Sequence, residues 1–384
     1  MKNIFAIGMV LFLFNLSSAQ AASLVSGAPY LDATADAWAN VLQTFGPSGA
    51  IAYELNTAHT SDLASFRKMI SSLAYNTSAL TLYNAFHHID VGLTPVGAPL
   101  SSRRHACTHN LPDCRHDTRM LDIMISGIGT YAQWDTDKNN TEFKTRTTGT
   151  HVRASGYLTD GLSVGVAYTR TETNTRHTPI YADATTDSLT LFSEYLGTSG
   201  LFINMGVNGG RINWANDKSI AGIENSAAYD ADFIAGQITS GIQLSRGRIG
   251  ITPQIGVRYV RLSSDKHIDS AAQEFQKWWY NTLTTRAQML IDFDFIGDWY
   301  IMRPSMALGV GYDALTHGTD AISVRVISGQ TYNIPIDTPH RTALNGALGI
   351  DFLANDFSIG LDYRLDIRSD YIAHTGALNI KITF

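Results

Sequence analysis

The stretch "FSIGLDYRLDIR" (Phe357–Arg368) alternates without a break. Phe357, Ile359, Leu361, Tyr363, Leu365 and Ile367 fall on one side of an extended chain, and Ser358, Gly360, Asp362, Arg364, Asp366 and Arg368 on the other. A period of two gives a strand one oily and one wet face. Working outward, the same pattern recurs at 342–352, 300–312, 283–293 and 249–259, and in weaker form at about 123–135, 146–158, 161–174, 184–196, 200–213 and 229–244. The end of the chain, "HTGALNIKITF", supplies another strand at 372–384, which makes about twelve.

The connections decide between a sandwich and a closed sheet. Tight turns occur at 158–161, 197–200, 245–248, 296–298 and 354–356, and long polar links at about 136–145, 175–184, 214–228, 262–280 and 314–339. Short and long alternate until a brief link near Ser369–Asp370, so nearly all the long loops gather at one end. That asymmetry, with an even strand count, predicts an all-β fold: a 12-stranded antiparallel transmembrane barrel of the bacterial outer-membrane type. In lipid the backbone amides need partners, so the sheet closes, with its apolar face outward and its polar face inward. The inward charges expected to line the lumen are Arg153, Glu194, Arg258, Arg286, Asp292, Arg303, Arg341, Asp351, Asp362 and Arg364. Trp278, Trp279, Tyr280, Trp299 and Tyr300 fall at strand ends and are expected in aromatic girdles.

Composition agrees. Charged residues are 16% of the chain, below the roughly 25% of soluble proteins. The net charge of −6 and the lack of a basic block argue against a nucleic-acid partner. At the N-terminus, Lys2, the apolar run Ile4–Leu16 and the small residues around Ala19-Gln20-Ala21 form the three-part layout of a signal peptide, residues 1–21, cleaved before Ala22. No later run is long enough for a spanning helix. An exported chain makes the close pair Cys107 and Cys114 a candidate disulfide; His105, His109 and His116 flank it, but zinc favours tighter, paired spacings, so no metal is expected.

Residues 22–120 mix helical and loop signals. Two segments are candidates for a helix inside the lumen: the helical pattern at 61–86, and "CRHDTRMLD" beside the first strand. No G-x-S-x-G elbow, H-E-x-x-H helix or phosphate loop occurs, so no catalytic residue and no cofactor is assigned and the chain is not expected to be an enzyme. His151, His267, His317, His340 and His374 read as solvated histidines near loops.

The region from about Leu121 to Phe384 resembles the translocator (β) domain of autotransporters, the type V secretion proteins. The resemblance is carried by "GIGTYAQWDTDKNN" (127–140), "TGTHVRASGYLTDGLSVGVAYTRTETNT" (148–175), "LFSEYLGTSGLFINMGVNGGRINW" (191–214), "ITPQIGVRYVRL" (251–262) and "YIAHTGALNIKITF" (371–384). It implies a 12-stranded barrel, monomeric and embedded in outer-membrane lipid, whose lumen holds a helical linker leading to an exported passenger. It also implies that Phe384, with Ile382, Ile380 and Leu378 at alternate positions before it, is the signal read by the barrel-assembly machinery after delivery by the general secretion pathway. Typical passengers of this family are several hundred residues long; here 22–120 is expected to be a short passenger and linker. The alternative is a passive porin-like or adhesin barrel in which the same segment is a plug or periplasmic domain.

Overall fold

The computed structural model describes residues 121–384, except 135–142, 160, 178–179, 221–222, 271–272, 320, 326–330, 336–339, 355 and 370, together with Ala85, Ile89 and Leu93. The signal peptide, the Cys107–Cys114 pair with its flanking histidines and most of 22–120 lie outside the described residues; of the "CRHDTRMLD" segment, only Leu121 and Asp122 are described, and they open the first strand rather than a helix.

Twelve strands form the barrel: β1 Leu121–Trp134, β2 Phe143–Thr159, β3 Leu162–His177, β4 Ile180–Leu196, β5 Leu201–Ile220, β6 Ile223–Ile242, β7 Ile249–Ser264, β8 Trp278–Phe293, β9 Tyr300–Gly318, β10 Thr342–Ala354, β11 Phe357–Arg368 and β12 Tyr371–Thr383. Each pairs antiparallel with its sequence neighbours, and β12 returns to β1 from Trp134↔Tyr371 to Asp122↔Thr383. The Phe384 amide donates to the Leu121 carbonyl at 2.9 Å, so pairing continues through the last residue. No edge of the barrel wall is left open, as lipid requires.

Parity holds along the strands except where the register shifts, near Thr159 and at Ala314. Leu378, Ile380, Ile382 and Phe384 are exposed on the outside, with Leu361, Leu348, Ile255 and Leu191 in the same belt. The turns at one end are tight. Gly200 (φ 84°) and Gly247 (φ 64°) occupy the left-handed region there, which glycine enters without steric cost.

The other end departs from the sequence expectation. The presumed loop at 214–228 is mostly strand, because β5 and β6, at 20 residues each, pair from Leu201↔Ile242 to Ile220↔Ile223. Apolar alternation ends near Val207, where Arg211, Asn213, Asp217, Asp230 and Asp232 take over the outer face. A strand that leaves lipid for water needs no apolar face, so the ladder outlasts the pattern. The links at 262–280 and 314–339 contain a second sheet in the order Thr331–Pro335, Ala321–Arg325, Glu274–Phe275, His267–Ile268. Stacked rings join it to the barrel: Tyr229 on β6 lies 4.1 Å from His267, which lies 4.6 Å from Phe275.

Candidate functional site: the barrel lumen

Twelve strands set the bore. With strands ~4.8 Å apart and tilted ~40°, the backbone cylinder is ~24 Å across. About 5 Å of side chain on each wall, half the ~10 Å spacing of facing sheets, leaves ~14 Å. An α-helix with its side chains is ~10–12 Å wide, so the bore accepts one helix. Ala85, Ile89 and Leu93 are helical and fully buried, and their spacing of four is that of residues sharing one helix face. Leu93 lines a cavity of about 450 Å³ with inward residues of β1, β2 and β6–β12. Of the two candidate segments, 61–86 includes Ala85, but Ile89 and Leu93 lie beyond its expected end.

The wall carries charge in three groups. On β2 and β4, Arg153 Nη2 donates to Glu194 Oε2 at 2.9 Å, Ser163 Oγ donates to the same oxygen at 3.3 Å, and the guanidinium lies 4.1 Å from the Phe192 ring centre. Phe192 lies over its register partner Gly165, where an added Cβ would collide with the ring. Nearby, His151 Nδ1 and Thr169 Oγ1 are 2.8 Å apart. His151 is buried on the lumen side rather than solvated.

Toward the tight-turn end, Arg303 Nε donates to Asp294 Oδ1 at 2.6 Å, with Asp292 Oδ1 at 3.9 Å. Asp351 and Asp362 lie over paired glycines of the neighbouring strands, Gly360 and Gly349, and Asn379 Nδ2 donates to Asp362 Oδ2 at 2.6 Å. Toward the long-loop end, Arg368 Nη1 donates to Asp313 Oδ2 at 2.7 Å and Thr284 Oγ1 to Asp313 Oδ1 at 2.7 Å. Arg258, Arg286, Arg364 and Asp366 line the same part of the cavity.

Nine of the ten expected lumen residues face inward: Arg153, Glu194, Arg258, Arg286, Asp292, Arg303, Asp351, Asp362 and Arg364. Glu194 sits on the wall beneath Arg153 rather than on the open cavity. Arg341 does not line the lumen. It is exposed at the rim, one residue before β10 begins, and donates to Thr316 Oγ1 at 3.4 Å. Parity extends past a strand's end, but the wall does not. The girdle expectation also divides: Trp279, Trp299 and Tyr300 lie outside, whereas Trp278 and Tyr280 are buried facing the lumen. Adjacent strand residues cannot share a face. Asp294, Asp313 and Arg368 were missed as site residues. Arg368 already stood on the polar face of "FSIGLDYRLDIR". Asp313 adjoins a register shift between Leu283 and Thr284 that skips Ala314, and no sequence signal marks that shift.

Comparison with known proteins places this geometry. The autotransporter beta-domain family matches residues 123–364, from β1 into β11. The fold is similar to the translocator domain of the autotransporter NalP from Neisseria meningitidis, with TM-score 0.58 and 16% identity over 76% of this chain and 97% of that one. It is also similar to the beta domain of the Bordetella autotransporter BrkA, with TM-score 0.54 and 11% identity over 69% and 100% of the two chains. A curated relative, outer membrane protein A of Rickettsia conorii, is 22% identical over 267 residues, which is 63% of this chain and 13% of that protein. With the family matched along most of a closed, polar-lined 12-strand barrel, the chain belongs to the autotransporter beta-domain family and is a translocator barrel of the bacterial outer membrane.

Proposed function

We propose that this barrel passes its own N-terminal segment through the lumen and displays or releases it at the cell surface, acting as a monomeric conduit and not as an enzyme. The observation that carries the reading is Leu93, which is helical, fully buried and part of the lumen cavity's lining. A bore wide enough for one helix, lined by residues of both charge signs, suits a polar polypeptide: backbone and side chains exchange water for wall dipoles, and no single sign traps the chain. Upstream, the general secretion pathway delivers the chain to the periplasm. The barrel-assembly machinery then captures the last strand by strand pairing while its amides are still free. In that step Leu378, Ile380, Ile382 and Phe384 present one apolar face.

An epitope inserted near Trp38 tests the export. In intact cells it is expected to be cut by external protease, together with the segment 331–335 at the long-loop end. An epitope that stays protected while 331–335 is cut overturns the export reading.

A further inference from the structure

The outer wall carries a feature that translocation does not use. On the lipid-facing side, across β12 and β1, three glycines replace side chains: Gly376 pairs with Gly129, and Gly127 stands two residues along the same face. A Cβ built at any of the three meets nothing within 4 Å. They floor an open trough of about 660 Å³ flanked by Leu361, Leu378 and Thr148. Its width and apolar flank fit a hydrocarbon chain.

The upper end of the trough opens onto cations. On the outer face of β2 and β3, Lys144 pairs directly with Arg176, and Arg146 lies diagonal to Arg176. Like charges opposite each other on a sheet repel. Arg146 and Arg176 make no ion pair among the described residues. Lower down, Arg170 lies 3.7 Å from Asp187 and lines the trough with Glu172. Asp183 is the other carboxylate on this stretch of outer face. Elsewhere at the rim the balance reverses, since on β5 and β6 Arg211 faces Asp230 and Asp232.

Height fits too. A strand tilted ~40° climbs ~2.6 Å per residue, so Arg170, eight positions into β3, sits ~21 Å above its tight-turn end, near the edge of a ~25 Å apolar band. Arg146, thirteen positions along β2 from Thr159, sits ~34 Å up, above that band. The cations therefore stand at headgroup level in the outer leaflet.

We infer that this wall is a lipid-binding site: an acyl chain of a phosphorylated glycolipid lies in the Gly127–Gly129–Gly376 trough, and its phosphates are held by Arg146, Arg176, Lys144 and Arg170. Guanidinium forks suit phosphate oxygens. The site is independent of what passes through the lumen.

The test uses the full chain refolded in phosphatidylcholine nanodiscs and exposed to bisphosphorylated lipid A, with bound lipid read by native mass spectrometry. Wild type retains lipid A, and the R146A/R176A pair weakens retention roughly tenfold or more. Gly129→Leu, which fills the trough, also lowers it, while Arg146→Lys with Arg176→Lys, which keeps the charge but loses the forks, lowers it less than the alanine pair. Arg211→Ala, two strands further along the rim on β5 and paired with Asp232, leaves it unchanged. Heat-modifiable migration confirms folding of each variant. Retention by R146A/R176A equal to wild type overturns the site, as does equal binding of fully dephosphorylated lipid A. Displacement of lipid A by equimolar inorganic phosphate overturns the lipid assignment in favour of a free-anion site.

Discussion

Arg153 is the residue around which one side of the lumen is organised. Its guanidinium bonds Glu194 and lies on Phe192, and the ring has room only because Gly165 lacks a Cβ. Both charges are buried, with side-chain exposures of 5% and 2%. Removing one partner of such a pair strands the other in a poorly solvated place, at a cost of about 3–5 kcal/mol. Arg153→Ala and Glu194→Ala are each expected to lower the urea midpoint of the folded barrel, and an Arg153→Met/Glu194→Leu double variant to recover most of the loss. A double variant as unstable as the singles means that the pair itself, rather than the uncompensated charge, carries the stability. Parity alone identified both residues as inward. Their contact was not legible, because it joins β2 to β4 across β3, and sequence alternation says nothing about neighbours two strands away.

At the scale of elements, the pattern located the barrel strands and missed what lies above them. The strands that cross lipid were readable because an apolar outer face is a physical necessity there. The sheet of His267–Ile268, Glu274–Phe275, Ala321–Arg325 and Thr331–Pro335 lies in water, and its two shortest members have two residues each, too few to show any period. Such short strands need side-chain help. Lys266 Nζ lies 2.7 Å from Glu274 Oε1, and Gln276 Nε2 donates to the same oxygen at 2.5 Å. These hydrogen bonds, Lys266 first, hold the Glu274 carboxyl below its ordinary value of 4.5. A depressed carboxylate contributes stability that is present above 4.5 and is lost as pH falls through the lower folded value. Spin labels at 268 and 325, on either side of Glu274, report the effect. At pH 7, Glu274→Gln is expected to broaden the distance distribution relative to wild type, and once the pH has fallen below the depressed folded value the two chains are expected to coincide. The change is modest, since solvent screens an exposed pair. Identical distributions at pH 7 mean that the carboxylate does not hold the sheet, leaving its backbone pairing and the Tyr229–His267–Phe275 stack to do so.

For the whole molecule, the open question is what the bore does when the helical segment is absent. Closure, strand number and the end bearing the long loops were legible because they follow from counting turns. The occupant was not, since Ala85, Ile89 and Leu93 look like any amphipathic stripe until all three are found buried, with Leu93 lining the lumen cavity. If that segment fills a bore one helix wide, its removal must open a water path. The full chain in planar bilayers is expected to show low conductance, and a chain lacking residues 22–120 a stable and several-fold larger one. The wall then sets the ion preference. Toward the long-loop end, Arg258, Arg286 and Arg368 lie within electrostatic reach of one another and of Asp313 and Asp366, and Arg364 lies within reach of Arg286 and Asp362. Four guanidinium groups against the three carboxylates Asp313, Asp362 and Asp366 leave a small local positive excess, and charge rings of one sign select the opposite ion. The reversal potential of the truncated barrel in a salt gradient is therefore expected to favour anions at ~0.1 M salt, where screening reaches ~10 Å, and to lose that preference near 1 M. Arg286→Gln with Arg364→Gln is expected to abolish the preference while leaving the conductance high. Equal conductance with and without residues 22–120 would sink the occupied bore, whereas a large but cation-selective current would leave the bore standing and move the controlling charges to the aspartates near the tight turns.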